Sequence, residues 1–367
     1  MLKRDVNQAD IELTPISIVS VQPVIHLNEL DQSFMYSRLL KEILLKMEYD
    51  ENQKTKFIEL CLIQQVENES AHRVIDEFER DYDGSSPIWW YTRDCFIYSM
   101  LNKALRTQDI EIIIKMGFFI RDLHQQIEQL HLRSDNRNRS IEVYRGQAMS
   151  NAEFDKMKNN KNGLLSFNSF LSTSFDSQIA FARADSTRDD PELTGVFFKI
   201  KIDPLISTTP FASIDDVSYF SDSEQEVLFS MHTIFRIGEM RQIENRLWEV
   251  ILTLTSDDDE QLKRLGDYIR KEIEVQTEWA QLANLMLKMG EFEKSKEIYH
   301  AIHESAAIND LATEAWYHNN IGYIMTEEGN QKAALSHLQK ALEIKEQYLP
   351  SDHLKYFIQA AIPTDKS

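Results

Sequence analysis

Residues 196–202 read VFFKIKI, and this short run decides the fold class. Val196, Phe198, Ile200 and Ile202 fall on one face of an extended chain and Lys199 and Lys201 on the other, the period-two pattern of a half-buried strand. Trp248, Val250, Leu252 and Leu254 repeat it against Glu249 and Thr253. From Ile141 to Leu254 apolar residues alternate in this way and turn residues separate the runs, so the middle of the chain is β-rich. Between two of its strands, DSQIAFARAD (176–185) suits a short helix.

Outward in both directions the period becomes helical. Residues 30–132 carry that spacing, as in Ile97, Leu101, Ala104 and Leu105, and Ser86-Pro87 predicts a helix start before IWWYTRDCFIYSMLNKAL (88–105). On the far side the polar run TSDDDE (255–260) reads as a solvated linker rather than a metal site, because consecutive aspartates cannot all face one ion. Two similar helix-turn-helix segments follow, 282–302 and 320–342, with Gly290 and Gly329 in equivalent turns and Ala283 and Gly322 where small side chains allow close crossing. The second resembles a tetratricopeptide repeat at Gly329, Ala334, Leu335, Ala341 and Leu342. Two repeats fall short of the three or so that usually stand alone, so they are expected to lean on a helix over 261–276 or on the β-rich region. A packing appendix and a surface for a peptide or protein partner are both open readings.

The sequence therefore predicts an α+β protein: an extension over 1–30, a helical N-terminal lobe over 31–135, a β core over 140–256, α-helical repeats over 261–350 and a tail over 351–367. Forty basic against sixty acidic residues give a net charge of −20, which removes any chain-level attraction to nucleic acid or an anionic membrane. An apolar fraction of 42% excludes disorder throughout. The opening MLKRDVNQADIEL places acids where a signal sequence needs an apolar run, and Pro23 interrupts IVSVQPV. With no apolar run of about 18 residues, a cytoplasmic location without a membrane span is the expectation. Cys61 and Cys95 have neither metal nor redox spacing, and His300 and His303 lack a third ligand, so no metal is expected. No GxGxxG or GxxxxGK[ST] cradle occurs.

Three elements on three predicted strands carry the chemistry: Arg145 in IEVYRGQ, Ser172 in SFLSTSF, and Glu224 with Glu226 in SDSEQEVLF. Singly each is commonplace. In this order, at separations of 27 and 54 residues, they resemble the R-S-E signature of the arginine-specific mono-ADP-ribosyltransferase family. The likeness extends over WWYTRDCFIYSMLNKALR (89–106) and PFASIDDVSYFSDSEQEVLF (210–229), and covers residues 85–254.

The resemblance implies a split β-sandwich that binds NAD as co-substrate within a catalytic domain spanning 31–256. It implies that Glu226 stabilises the oxocarbenium-like transition state and holds the ribose 2′-hydroxyl, that Ser172 orients Glu226, and that Arg145 grips phosphate and ribose. Backbone groups at Gly146 would hold the nicotinamide amide, Thr173 would complete the cofactor site, and Arg183 would contact phosphate. Phe181 would stack on nicotinamide, with Phe175 as competitor and packing as the alternative. Tyr219 and Phe220 either recognise the acceptor or simply pack. Glu224 would orient a protein arginine and take its proton; on an extended strand it would share a face with Glu226, about 7 Å away. Water as acceptor would instead make an NAD glycohydrolase, and a repeat-based interaction module without catalysis is the non-enzymatic alternative. The protein partner so implied is a substrate with an accessible arginine.

Overall fold

The computed structural model describes residues 16–19, 32–49, 51–65, 68–134, 140–203, 209–220, 225–255, 270, 277–305 and 311–348. Glu224, the 256–260 run, nearly all of 261–276 and the 351–367 tail lie outside them. The chain divides into two compact units, 1–270 and 271–367.

In the first unit, helices α1 (Gln32–Lys46), α2 (Glu51–Gln64), α3 (Glu69–Asp81), α4 (Pro87–Thr92), α5 (Phe96–Thr107), α6 (Ile110–Lys115) and α7 (Gly117–Arg133) form the N-terminal lobe. Its center is aromatic: Phe78 stacks on Tyr82 at 4.5 Å and meets Trp90 and Phe57 edge-on at 5.0 and 5.6 Å. Such edge and offset contacts suit ring quadrupoles and fix the lobe's helix crossings. A helix does start at Pro87, as Ser86-Pro87 predicts, but it ends at Thr92 and a second begins at Phe96. Arg93 is extended, with ψ 140, and Cys95 caps a second helix. The local cause is visible: the Thr92 hydroxyl donates back to the Ile88 carbonyl, and the Arg93 guanidinium is drawn to Glu77 on α3 at 2.6 Å.

The β core contains β1 (Ile16–Val19), β2 (Ile141–Ser150), β3 (Leu164–Phe167), β4 (Leu171–Ser174), β5 (Leu193–Ile202), β6 (Phe211–Ser213), β7 (Glu226–Phe229), β8 (Ile234–Glu244) and β9 (Leu247–Leu254), with α8 (Asn151–Asn159) and α9 (Ser177–Asp185) between strands. The hydrogen-bonded order is β1-β3-β8-β9-β5-β2-β4-β7-β6, antiparallel except for β5 with β9. β1 falls inside the expected extension and adds Ile16 and Ile18 to the core.

Phe235 on β8 and Phe229 on β7 stand five ladder steps apart, which in a flat sheet is roughly 24 Å at about 4.8 Å per step. Their rings are 5.6 Å apart. The sheet must therefore fold over on itself, which is the sandwich, and the alternating apolar residues Val196, Phe198, Ile200, Val250 and Leu252 fill its interior.

Helix α9 lies on β2 and β5 at two glycines. A Cβ on Gly146 would stand 1.7 Å from the Ala180 carbonyl oxygen, and one on Gly195 2.2 Å from that of Ala184. No larger residue permits this approach.

The second unit holds α10 (Glu278–Lys288), α11 (Phe292–Ser305), α12 (Leu311–Glu327) and α13 (Gln331–Tyr348). Gly290 and Gly329 take left-handed backbone at the two turns, with φ 79 and 77, where β-carbons are strained. At the expected small position, a Cβ on Gly322 would meet the Leu338 side chain at 2.8 Å. His303, read as one half of an HxxH pair, stacks on Tyr317 at 4.5 Å.

Candidate functional site

The short strand β4 brings the three motifs together. It pairs with β7 so that Ser174 faces Glu226 and Ser172 faces Leu228. Directly opposed residues share a face, so Ser172 and Glu226 are diagonal neighbors there, within reach of a long side chain. The Ser172 hydroxyl donates to Glu226 Oε1 at 2.5 Å. On the other side β4 meets β2 at Tyr144 opposite Ser174. Arg145 donates from one terminal nitrogen to the Ser172 carbonyl at 2.8 Å and from Nε to Gln147 Oε1 at 2.9 Å. The guanidinium is thus aimed by two acceptors while it remains only half-buried.

Around this triad opens a small cleft. Tyr144, Arg145 and Gly146 of β2 and Ser172, Thr173 and Ser174 of β4 form its floor. Ile179, Ala180 and Arg183 of α9 form one wall, and Glu226 closes it. An adjoining recess shares Arg145 and Ser172 and is lined by Tyr98, Asn102 and Arg106 of α5 with Ser169 and Phe170.

Most of the residues singled out in the sequence gather at this cleft, with informative differences. The bare α-carbon of Gly146 is taken up by Ala180, so its glycine is required by helix seating, and only its backbone faces the cleft. Thr173 turns its hydroxyl to the Val227 carbonyl at 2.8 Å and is buried. Phe181 packs edge-on against Phe197 at 5.8 Å and does not line the cleft; the aromatic residue that does is Tyr144, stacked on Phe197 at 5.7 Å. Tyr144 adjoins Arg145 in the YRG run, but its neighbor across the sheet is not a sequence property. Tyr98, Asn102 and Arg106 recur at four-residue spacing along one helix, a signal that local reading could have used.

Glu226 opens β7 through a framed backbone: its N–H donates to Asp215 Oδ1 at 3.0 Å, and Ser213 donates to the second Asp215 oxygen at 2.9 Å. Gln225 has φ 45, and its carbonyl accepts from the Phe175 N–H at 3.1 Å. The two-residue alternation expected for Glu224 and Glu226 therefore fails as an argument, because it requires extended backbone at the residue between them. Glu224 itself lies outside the described residues. Tyr219 and Phe220 are 42% and 44% exposed.

Among the described residues, no cluster of three or more His, Cys, Asp or Glu side chains could hold a metal, and no helix is long and apolar enough to cross a membrane.

The sequence profile of the NAD:arginine ADP-ribosyltransferase family matches residues 75–260, half of the chain, and a tetratricopeptide-repeat profile matches 275–347. No curated protein matches. Among solved structures, the Vis toxin, an ADP-ribosyltransferase from Vibrio splendidus, is 18% identical over 58% of this chain and 89% of its own, with a TM-score of 0.35. The ADP-ribosyltransferase HopU1 of Pseudomonas syringae pv. tomato is 15% identical over 57% and 99%, with a TM-score of 0.39. C3stau2 of S. aureus, solved with NAD, is 19% identical over 57% and 98%, with a TM-score of 0.33. The profile match decides the assignment: the chain belongs to the NAD:arginine ADP-ribosyltransferase family and is an ADP-ribosyltransferase carrying C-terminal tetratricopeptide repeats.

Proposed function

We propose that the cleft cleaves NAD and transfers ADP-ribose to the guanidinium of a protein arginine. The observation that carries this reading is the Ser172–Glu226 hydrogen bond at 2.5 Å, beside a guanidinium that the Ser172 carbonyl aims. The two adjoining recesses, which share Arg145 and Ser172, would take the two halves of a dinucleotide, with Arg145, Arg183 and Arg106 as candidate phosphate donors and the Gly146 backbone and Thr173 beside the nicotinamide half.

In the proposed reaction the bond between nicotinamide nitrogen and ribose C1′ breaks, and neutral nicotinamide leaves with the electron pair. Positive charge then appears on the ribose, and the Glu226 carboxylate, held by Ser172, stabilises it only at that stage. A guanidinium nitrogen of the acceptor forms the new bond to C1′ and gives its proton to Glu224. An arginine guanidinium is protonated at any ordinary pH, so a carboxylate is needed to orient and deprotonate it. Glu224 in place of a neutral amide favors arginine over other acceptors, and Tyr219 with Phe220 would present that acceptor.

The test is labeling of agmatine or protein arginine with radiolabeled NAD. Glu226→Gln should abolish both nicotinamide release and transfer; persistent labeling would sink the assignment. Glu224→Gln should stop transfer and retain nicotinamide release. Equal loss of both activities would overturn this division of labor, and a wild type that only hydrolyzes NAD would make the protein a glycohydrolase.

Residues 31–256 then form the catalytic domain, and the repeats at 261–350 choose the protein substrate, a role supported by the repeat type and the chemistry of the acceptor. NAD is the co-substrate.

A further inference from the structure

Helix α4 is bound to the segment that leads into the acceptor turn. The Tyr219 N–H donates to Thr92 Oγ1 at 2.9 Å, while the same hydroxyl donates to the Ile88 carbonyl at 2.8 Å. The Trp89 ring meets the Tyr219 ring edge-on at 5.1 Å, and Tyr219 meets Phe220 at 5.0 Å. The Arg93 guanidinium lies 5.4 Å from the Trp89 ring, 5.3 Å from Trp90 and 5.9 Å from Tyr219, with its charge met by Glu77 on α3.

This arrangement separates backbone from side chain. Thr92 is 3% exposed, so water does not compete for its hydrogen bond to Tyr219, yet the Tyr219 and Phe220 rings stay open to solvent. An exposed ring on a fixed backbone has already lost the freedom that binding would otherwise remove. Arg93, extended at the break between α4 and α5, makes its contacts with Glu77 and the rings from that position.

Resting on the reading that Tyr219 and Phe220 present the acceptor, we infer that Trp89, Thr92 and Arg93 are positioning residues for the arginine acceptor. They act through Tyr219. None of the three lines the proposed NAD cleft or its adjoining recess. Acceptor use and NAD cleavage are therefore separable at α4.

The experiment measures kcat and KM for agmatine transfer and for nicotinamide release into water, with melting curves as the folding control. Trp89→Ala and Thr92→Val should each lower kcat/KM for agmatine by at least about tenfold and leave nicotinamide release within about twofold of wild type. Trp89→Phe and Thr92→Ser, which keep a ring and a hydroxyl, should restore transfer. Wild-type agmatine kinetics in both truncating variants would overturn the inference while leaving the proposed function intact. Equal loss of both activities, or loss that the conservative variants do not repair, would also overturn it, because the helix would then support the fold alone. A wild type that releases nicotinamide and never modifies agmatine would instead remove the acceptor reading, and this inference with it.

Discussion

Replacing Gly146 with alanine is a sharp test of how the cleft is built. The added Cβ would fall 1.7 Å from the Ala180 carbonyl oxygen and 2.7 Å from the Ala184 amide nitrogen, whereas real β-carbons essentially never approach closer than 3.0 Å. Both obstacles are backbone, so no rotamer change relieves them; α9 must withdraw from β2 by about 1.3 Å, the gap between those two distances. Overpacking of this kind costs about 1–3 kcal/mol, which at a urea slope of about 1–3 kcal/mol per molar lowers the midpoint by roughly 1 M. Because α9 carries Ile179, Ala180 and Arg183 into the cleft, a displacement near 1 Å should also slow nicotinamide release by about a hundredfold. Urea titration and a nicotinamide-release assay read the two effects separately. Ala180→Gly should not rescue either one, since the clash is with the carbonyl and not the methyl group. Wild-type stability and turnover in Gly146→Ala, or rescue by Ala180→Gly, would refute the proposed seating of the helix.

Two other outcomes are expected. Burial first, with Lys41 nearby, pushes the His124 and His232 imidazoles down to about 3, so the folded state keeps them neutral while the unfolded chain takes up protons below about 6.5. Stability they supply is therefore fully present above about pH 6.5 and lost as pH falls toward 3, by about 2 kcal/mol per imidazole at pH 5. His124→Gln should flatten the change in urea midpoint between pH 7.5 and pH 5, and an unaltered pH slope would contradict it. For the repeats, deleting residues 261–367 should narrow or redirect the set of proteins labeled in a lysate while sparing NAD hydrolysis; an unchanged target set, read by mass spectrometry of modified peptides, would refute substrate selection by the repeats.

Much of this protein was legible locally. Alternation at Val196, Phe198, Ile200 and Ile202 is a property of one strand, because successive side chains of an extended chain point to opposite faces whatever lies beyond. The glycines at 290 and 329 likewise declare their turns, since few other residues accept left-handed backbone. Arg145, Ser172 and Glu226 could be named because their order and spacing resemble the signature of a known family, not because any one of them stands out locally.

What the chain alone left undecided was set by contacts between elements distant in sequence. The closure that brings Phe229 to Phe235, the seating of α9 that assigns Gly146 to packing, and the choice of Tyr144 over Phe181 as the cleft's aromatic all depend on which surfaces meet. The break after Thr92 is of the same kind: helical spacing runs through 88–105, but Glu77, the indole rings and Tyr219 reward an extended Arg93 more than one further helical turn would. Periodicity is written in neighbors along the chain, whereas a cleft is made by neighbors across it.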